Sequence, residues 1–279
     1  LSTVNRAAVG SNPTQGATLL VAMPRHKLRN KPVLTKPHID ARMASVSGVP
    51  QRCLDCLVRD KALCASMSDC ELAALSALGR RRDVAAGQVV TWAGDPNSSC
   101  ANVVSGALKV SASTADGREQ IVGLLFPGDF VGQLFTAEAS LTVTALTDTN
   151  LCTFPRTGFE RALETYPHME RLLLERTMAS LDEARERMLS LGRKDARERV
   201  AGFLLELAER TGMPDAAGRI QVLIPISRGE MAGFLGLTIE TVSRHLTRLK
   251  TAGVVDFAKG ERDCTILDRA ALKAIVNPA

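Results

Sequence analysis

Between residues 84 and 154 apolar positions come in short runs, QVVTW, ALKVSAS, QIVGLLF and TVTAL, separated by AGD, SG, ADGR and PGD turns. Runs of this length, bounded by Gly, Pro and Asp, predict antiparallel strands closed into a sandwich or barrel. Ahead of them, SDCELAALSALG places Ser68 and Glu71 at capping-box spacing before Leu72, Leu75 and Leu78, which predicts a short helix. After Phe154 the turn signals vanish. In YPHMERLLLERTMASLDEARERMLSLGRK the residues Leu174, Met178, Leu181, Ala184, Met188 and Leu191 recur at alternating spacings of three and four. That is a coiled-coil seam, and Arg and Glu on its flanks favour pairing with a second copy over packing on the chain's own β domain.

The C-terminal third begins with the amphipathic run ARERVAGFLLELAER. Ser227 and Glu230 then form a second capping box, and Gly236 stops that helix. TIETVSRHLTRLKTAG follows, capped by Thr238 and ended near Gly253. Helical spacing turns Ile239, Val242, Leu246 and Leu249 inward and sets Glu240, Ser243, Arg244 and Thr247 together on the opposite face. Two helices joined by a tight turn, the second with a polar face, make a helix-turn-helix. VVDFAKGERDCTIL reads as two strands about a turn at Gly260, a winged hairpin. On a recognition helix Arg244 can pair with guanine and Glu240 can accept from cytosine, whereas Arg248 and Lys250 suit phosphates, which position without specifying.

Charge changes the picture little. The chain of 279 residues carries a net +5, but residues 1–52 hold eight Lys or Arg against the single acid Asp40, so the remainder sums to −2. The basic balance sits in a Pro-rich tail without helical or strand period, which reads as disordered. At 45% hydrophobic the rest can bury a sizeable core, and no run approaches the roughly 18 apolar residues of a membrane span. The default compartment is the cytoplasm, with no membrane partner expected. Catalysis finds little footing: the chain has four histidines and neither a Gly-rich phosphate loop nor a nucleophile motif.

Cysteines change it more. Three of the seven fall within CLDCLVRDKALC, residues 53–64. In a reducing compartment such a cluster points to metal or redox chemistry ahead of disulfides. Cys53 and Cys56, with two residues between them, can offer two thiolates from one turn to a common centre, and Cys64 follows after seven more. Spacing alone leaves iron-sulfur and zinc both open, since each accepts thiolates.

The β-rich domain, the long helix and ISRGEMAGFLGLTIETVSRHLTRLKTAGVV together resemble the CRP/FNR family of bacterial transcription regulators. Glu240, Ser243 and Arg244 match the E-x-x-S-R reading motif of the FNR branch. The resemblance implies an α+β chain in four parts: a tail (1–52), a cysteine arm with an antiparallel β-roll of jelly-roll, cyclic-nucleotide-binding type (53–155), a long dimerisation helix (156–194) and a winged helix-turn-helix (195–279). It also implies a homodimer on an inverted pair of TTGAT-type DNA half-sites, a contact with RNA polymerase, and an oxygen-labile [4Fe-4S] cluster. Cys152, in NLCTF, matches the place of the distant cluster ligand and would complete the set with Cys53, Cys56 and Cys64. Cys70 competes with Cys64 for the third position, while Cys100 and Cys264 have no part. The interval before Cys64 is longer than in the best-known members. Exposed loops at 115–120 and 211–218 are candidates for the polymerase contact. No cyclic nucleotide is expected: Gln133 stands in place of an acid and no Arg lies between Arg118 and Arg156, leaving a phosphate without a cation. A thiol-regulated or zinc-bound regulator, or an electron carrier, are the alternatives.

Overall fold

A computed structural model of the chain describes residues 48–257 and 262–277. Most of the expected basic tail and the tip of the wing around Gly260 lie outside the described residues. The arm opens with α1 (Gln51–Leu54), passes through a 3-10 turn (Leu63–Ser66) and ends in α2 (Asp69–Leu78). The capping box at α2 forms as expected, with the Ser68 hydroxyl accepting from the Glu71 amide and Glu71 accepting from the Ser68 amide at 2.8 Å.

Eight strands follow: β1 (Arg80–Val84), β2 (Val89–Thr91), β3 (Ser99–Ser105), β4 (Leu108–Ser113), β5 (Glu119–Leu125), β6 (Phe130–Val131), β7 (Thr142–Ala145) and β8 (Thr149–Pro155). They pair antiparallel into two sheets, ordered β1-β8-β3-β6 and β2-β7-β4-β5. Val84, Ala101, Val103, Leu108, Val143, Ala145 and Leu151 fill a shared core between them. Alternation along β3 and β8 sends every second residue to the opposite, outer face of the first sheet. There Cys100 and Phe154 pack against the arm's Leu63 and a following helix, and Val104 packs against Val58 and Ala62. This two-sided burial explains why β3 is covered almost throughout.

The segment expected as one long helix is two: α3 (Arg156–Thr165) and α4 (Pro167–Arg193). Tyr166 precedes a proline and sits at φ −123°, ψ 88°, outside the helical region, so the chain breaks there and Pro167 opens the next helix. Leu174, Met178, Leu181, Met188 and Leu191 of α4 are exposed, so the seam is not spent on the chain's own β domain.

The C-terminal part comprises α5 (Ala196–Thr211), β9 (Met213–Pro214), β10 (Ile220–Leu223), α6 (Arg228–Leu235), α7 (Ile239–Thr251), β11 (Val255–Phe257), β12 (Asp263–Ile266) and α8 (Arg269–Val276). Its sheet runs β11-β12-β10-β9, so the expected two-stranded wing is extended by two further strands. One continuous core joins Val200, Leu204, Met231, Val242 and Leu246 to Ile121, Leu124 and Phe126 of the β-roll. Polar contacts reinforce this join. Lys109 on β4 meets Glu230 on α6 at 3.1 Å, Gln120 donates to the Gly233 carbonyl at 2.9 Å, and the Arg187 guanidinium lies 4.3 Å from the centre of the Phe234 ring. Among the described residues no helix is long and apolar enough to cross a membrane.

Burial works against the Glu230 carboxylate, but hydrogen bonds from Ser227 and the Lys109 ammonium outweigh it and hold the carboxyl below its ordinary 4.5. Its support for docking is therefore fully present above about pH 4.5 and is lost as pH falls through the depressed folded value. Replacing Lys109 with Met is expected to cost about 1 kcal/mol and to speed amide exchange in α6 at neutral pH. Unchanged exchange there would show that the apolar join alone holds α6.

Candidate metal centre and nucleic-acid interface

The arm returns the three clustered cysteines to the outer face of the first sheet. Cys53 lies on α1, Cys56 just beyond it, Cys64 in the 3-10 turn and Cys152 on β8. All four are half-buried free thiols that line one cavity of about 40 Å³. Cys70 is exposed on α2 and does not line it, while Cys100 and Cys264 are buried elsewhere. Cys64 and Cys70, rivals for the third position by spacing, are thus separated by geometry: only Cys64 shares the cavity with Cys152. Gly79 keeps the cavity open, since a Cβ there would meet the Phe154 ring at 2.9 Å and the Cys152 sulfur at 3.4 Å.

Burial, and then the neighbouring Cys152, Cys53 and Cys56, push the Cys64 thiol up to about 12. Burial also raises Cys152, opposed by the charge of Arg81. At neutral pH Cys64 therefore holds its proton. Arg81 on β1 donates to the Cys56 sulfur at 3.4 Å, and Asn102 on β3 donates to the Cys64 sulfur at 3.8 Å. Arg52 lines the same cavity and donates to the Ser76 and Gly79 carbonyls. Among the described residues no three His, Cys, Asp or Glu side chains converge closely enough for a single metal ion. The donor set nevertheless fits an iron-sulfur cluster: four thiols on one cavity, cations to offset an anionic cluster, and N–H groups aimed at sulfur.

The arm is also tied to the long helix. Arg176 of α4 donates to the Lys61 carbonyl, and His168, in the first turn of α4, contacts the buried Glu71 at 3.2 Å. The position of the 53–64 segment is thus mechanically linked to the helix that carries the exposed seam. Near the far end of that seam, Arg185 pairs with Asp182 at 2.9 Å and Arg187 turns back to Glu206 and Phe234. Glu186 remains exposed without an ion-pair partner among the described residues.

A second cavity, of about 160 Å³, lies within the β-roll. Gln133 borders it and is engaged with Ser140, donating to its hydroxyl at 2.6 Å and accepting from its amide at 2.8 Å. Arg82 of β1 also borders this cavity, so strand pairing brings to it a cation from outside the 118–156 interval.

In the helix-turn-helix, the Ser227 hydroxyl accepts from the Glu230 amide at 3.2 Å and Glu230 accepts from the Ser227 amide at 3.0 Å. Gly236 takes the left-handed conformation, φ 62°, that ends α6, and Thr238 caps α7 by accepting from the Thr241 amide at 3.3 Å. Val242, Leu246 and Leu249 are buried as expected, whereas Ile239, placed inward by its spacing, is 51% exposed. As the first residue of α7 it overhangs the turn instead of facing the core. Glu240, Arg244 and Thr247 are exposed and Ser243 is half-buried, which leaves a polar outer face. Hydrogen bonds from the Glu240 backbone and the Thr238 hydroxyl hold the Glu240 carboxyl below its ordinary value, so it is ionised at neutral pH. Lys250, read as a phosphate contact, also has an internal role: it pairs with Asp256 at 3.0 Å and braces β11. Arg248 is exposed. In the 115–120 loop, a candidate for polymerase, Gln120 is engaged with α6, while Ala115 and Asp116 are exposed.

Two family models match: a cyclic nucleotide-binding domain over residues 81–166 and a Crp-like helix-turn-helix domain over 198–275. The chain is 42% identical over 230 residues to the transcriptional activator protein FnrL of Cereibacter sphaeroides, covering 81% of this chain and 92% of that protein. It is 36% identical over 223 residues to the nitrogen fixation regulation protein FixK of Bradyrhizobium diazoefficiens, covering 80% and 93%. The solved structure of FixK2 from Bradyrhizobium japonicum superposes with a TM-score of 0.66 at 32% identity, covering 72% of this chain and 98% of that one. A β-roll, a long helix with an open seam and a winged helix-turn-helix, matched over nearly the whole length of these relatives, place the chain in the FNR-type branch of the CRP/FNR family of transcription regulators, which are not enzymes.

Proposed function

We propose that the protein is a cytoplasmic, oxygen-responsive transcription regulator that holds a [4Fe-4S] cluster at low oxygen through Cys53, Cys56, Cys64 and Cys152. The observation that carries this reading is the meeting of four thiols, three from the arm and one from β8, on one cavity between the arm and the outer face of the first sheet. When bound, the cluster supplies an oxygen-labile clamp between arm and β-roll. The chain's own residues relay the clamp: Lys61 and Glu71, fixed with the arm, hold Arg176 and His168 and so set the start of α4. A second copy then closes on Leu174, Met178, Leu181 and Met188, and no cyclic nucleotide is required. The homodimer presents two copies of Glu240, Ser243 and Arg244 about one DNA turn apart, matching an inverted TTGAT-type repeat. Promoter output requires a contact with RNA polymerase from an exposed loop, and the relative FnrL is named a transcriptional activator.

The test is anaerobic purification with visible absorption and iron and sulfide assays. A brown protein with about four iron and four sulfide per chain is expected; a colourless protein with stoichiometric zinc would end the cluster reading.

A further inference from the structure

The outer face of β8 carries an arrangement that the ligand set does not account for. In the antiparallel register Cys152 stands opposite Arg81 on β1 and opposite Asn102 on β3. Three neighbouring strands thus present a row of Arg, Cys and Asn across the surface on which the arm lies. Each flanking side chain reaches over to a different arm cysteine, Arg81 to the Cys56 sulfur at 3.4 Å and Asn102 to the Cys64 sulfur at 3.8 Å.

Asn102 is the less ordinary of the two. It is 2% exposed on a face whose other β3 residues, Cys100 and Val104, serve apolar packing, and its Oδ1 is buried without a hydrogen-bond partner among the described residues. A half-satisfied buried amide costs stability that an apolar residue of the same shape would not. Its Nδ2 has one use in this setting, as a donor to sulfur. Arg81 adds both a donor and a positive charge, and its other guanidinium nitrogen is fixed at 2.9 Å from the Asn150 side chain, which aims the group.

The geometry points to Arg81 and Asn102 as positioning residues for the metal centre: they hold the Cys56 and Cys64 sulfurs toward the cavity and draw electron density from them by N–H···S bonds. This rests on the proposed cysteine ligation and deepens it, because it assigns the control of the centre's potential and lifetime to two residues of the β-roll. Hydrogen bonds and cations at thiolate sulfur stabilise the more reduced, more negative form. Loss of either donor shifts the midpoint potential in the negative direction and makes oxidation by air easier.

The experiment uses full-length protein reconstituted anaerobically with iron and sulfide, as wild type, Asn102→Leu, Arg81→Met and the donor-retaining Arg81→Lys. Three quantities are read: release of iron to a chelator without oxygen, the midpoint potential, and the decay of visible absorption in air. Asn102→Leu and Arg81→Met are expected to release iron about 10–100-fold faster, to show a more negative potential and to bleach sooner. Arg81→Lys recovers part of the loss. Arg82→Met, on the same strand but bordering the other cavity, serves as the fold control and behaves as wild type. Asn102→Leu removes an unsatisfied buried group, so it is expected to fold, and cooperative thermal unfolding confirms this. Wild-type release rates and potentials in both donor variants would overturn the inference while leaving the cysteine ligation standing. If the wild type carries zinc, the cluster reading falls, and the inference then stands or falls on whether the same variants release zinc faster. A wild type that binds neither metal removes both.

Discussion

Replacing Cys152 with Ser is expected to abolish the anaerobic visible absorption and to reduce anaerobic DNA binding to the level seen in air, at least about tenfold weaker. The arm cysteines Cys53, Cys56 and Cys64 lie within twelve residues of one another and could gather a metal without the β-roll. Cys152 alone belongs to the sheet, so it alone couples the centre to the domain. Its removal leaves the arm's apolar contacts intact, with Val58, Ala62 and Leu63 still packed on β3 and α3. Serine in place of a half-buried thiol costs the fold only about 1 kcal/mol, so a folded but unswitched protein is the outcome. Cys70→Ala is the matched control. Cys70 is exposed and off the cavity, and its loss should leave absorption and binding unchanged. Full anaerobic binding by Cys152→Ser, or its loss in Cys70→Ala, would reassign the ligand set.

Arg244→Ala is expected to weaken binding to the cognate repeat by about 1–3 kcal/mol per half-site while changing binding to scrambled DNA little. The side chain is exposed on the outer face of α7, one turn from Glu240, and makes no ion pair among the described residues, so truncation exposes no internal partner. Removing a side chain that pairs with guanine O6 and N7 erases discrimination between sequences, whereas removing one that meets a phosphate weakens binding to every sequence alike. Equal losses on both DNAs in a gel-shift titration would sink the reading role. Lys250→Ala separates the two kinds of effect further. Because Lys250 pairs with Asp256 in β11, part of its effect should appear as looser wing packing in addition to weaker phosphate attraction.

Local chemistry was legible wherever a short stretch determines it. Both capping boxes, the left-handed Gly236 and the buried stripe of α7 follow from side-chain spacing and form as the spacing dictates. The Tyr166-Pro167 break was also written in the chain, but the seam's long period masked a boundary that a proline imposes on the residue before it. Ile239 misled because a helix's first residue overhangs its turn and escapes the face its period assigns. The long-range facts were not legible. That Cys64 meets Cys152 while Cys70 does not depends on how the arm crosses β3. The row of Arg81, Cys152 and Asn102 depends on strand register, which sequence spacing does not carry. Docking of α6 on β4 and β5 through Lys109 and Gln120 likewise joins residues more than a hundred positions apart.

Binding of the full-length protein to an inverted TTGAT-type repeat, titrated with and without air on the same anaerobically reconstituted sample, tests the switch most directly. Tight dimeric binding is expected without oxygen, with loss of binding as visible absorption bleaches in air and no such difference in Cys152→Ser. Equal affinity before and after bleaching would contradict an oxygen-labile clamp on the dimer.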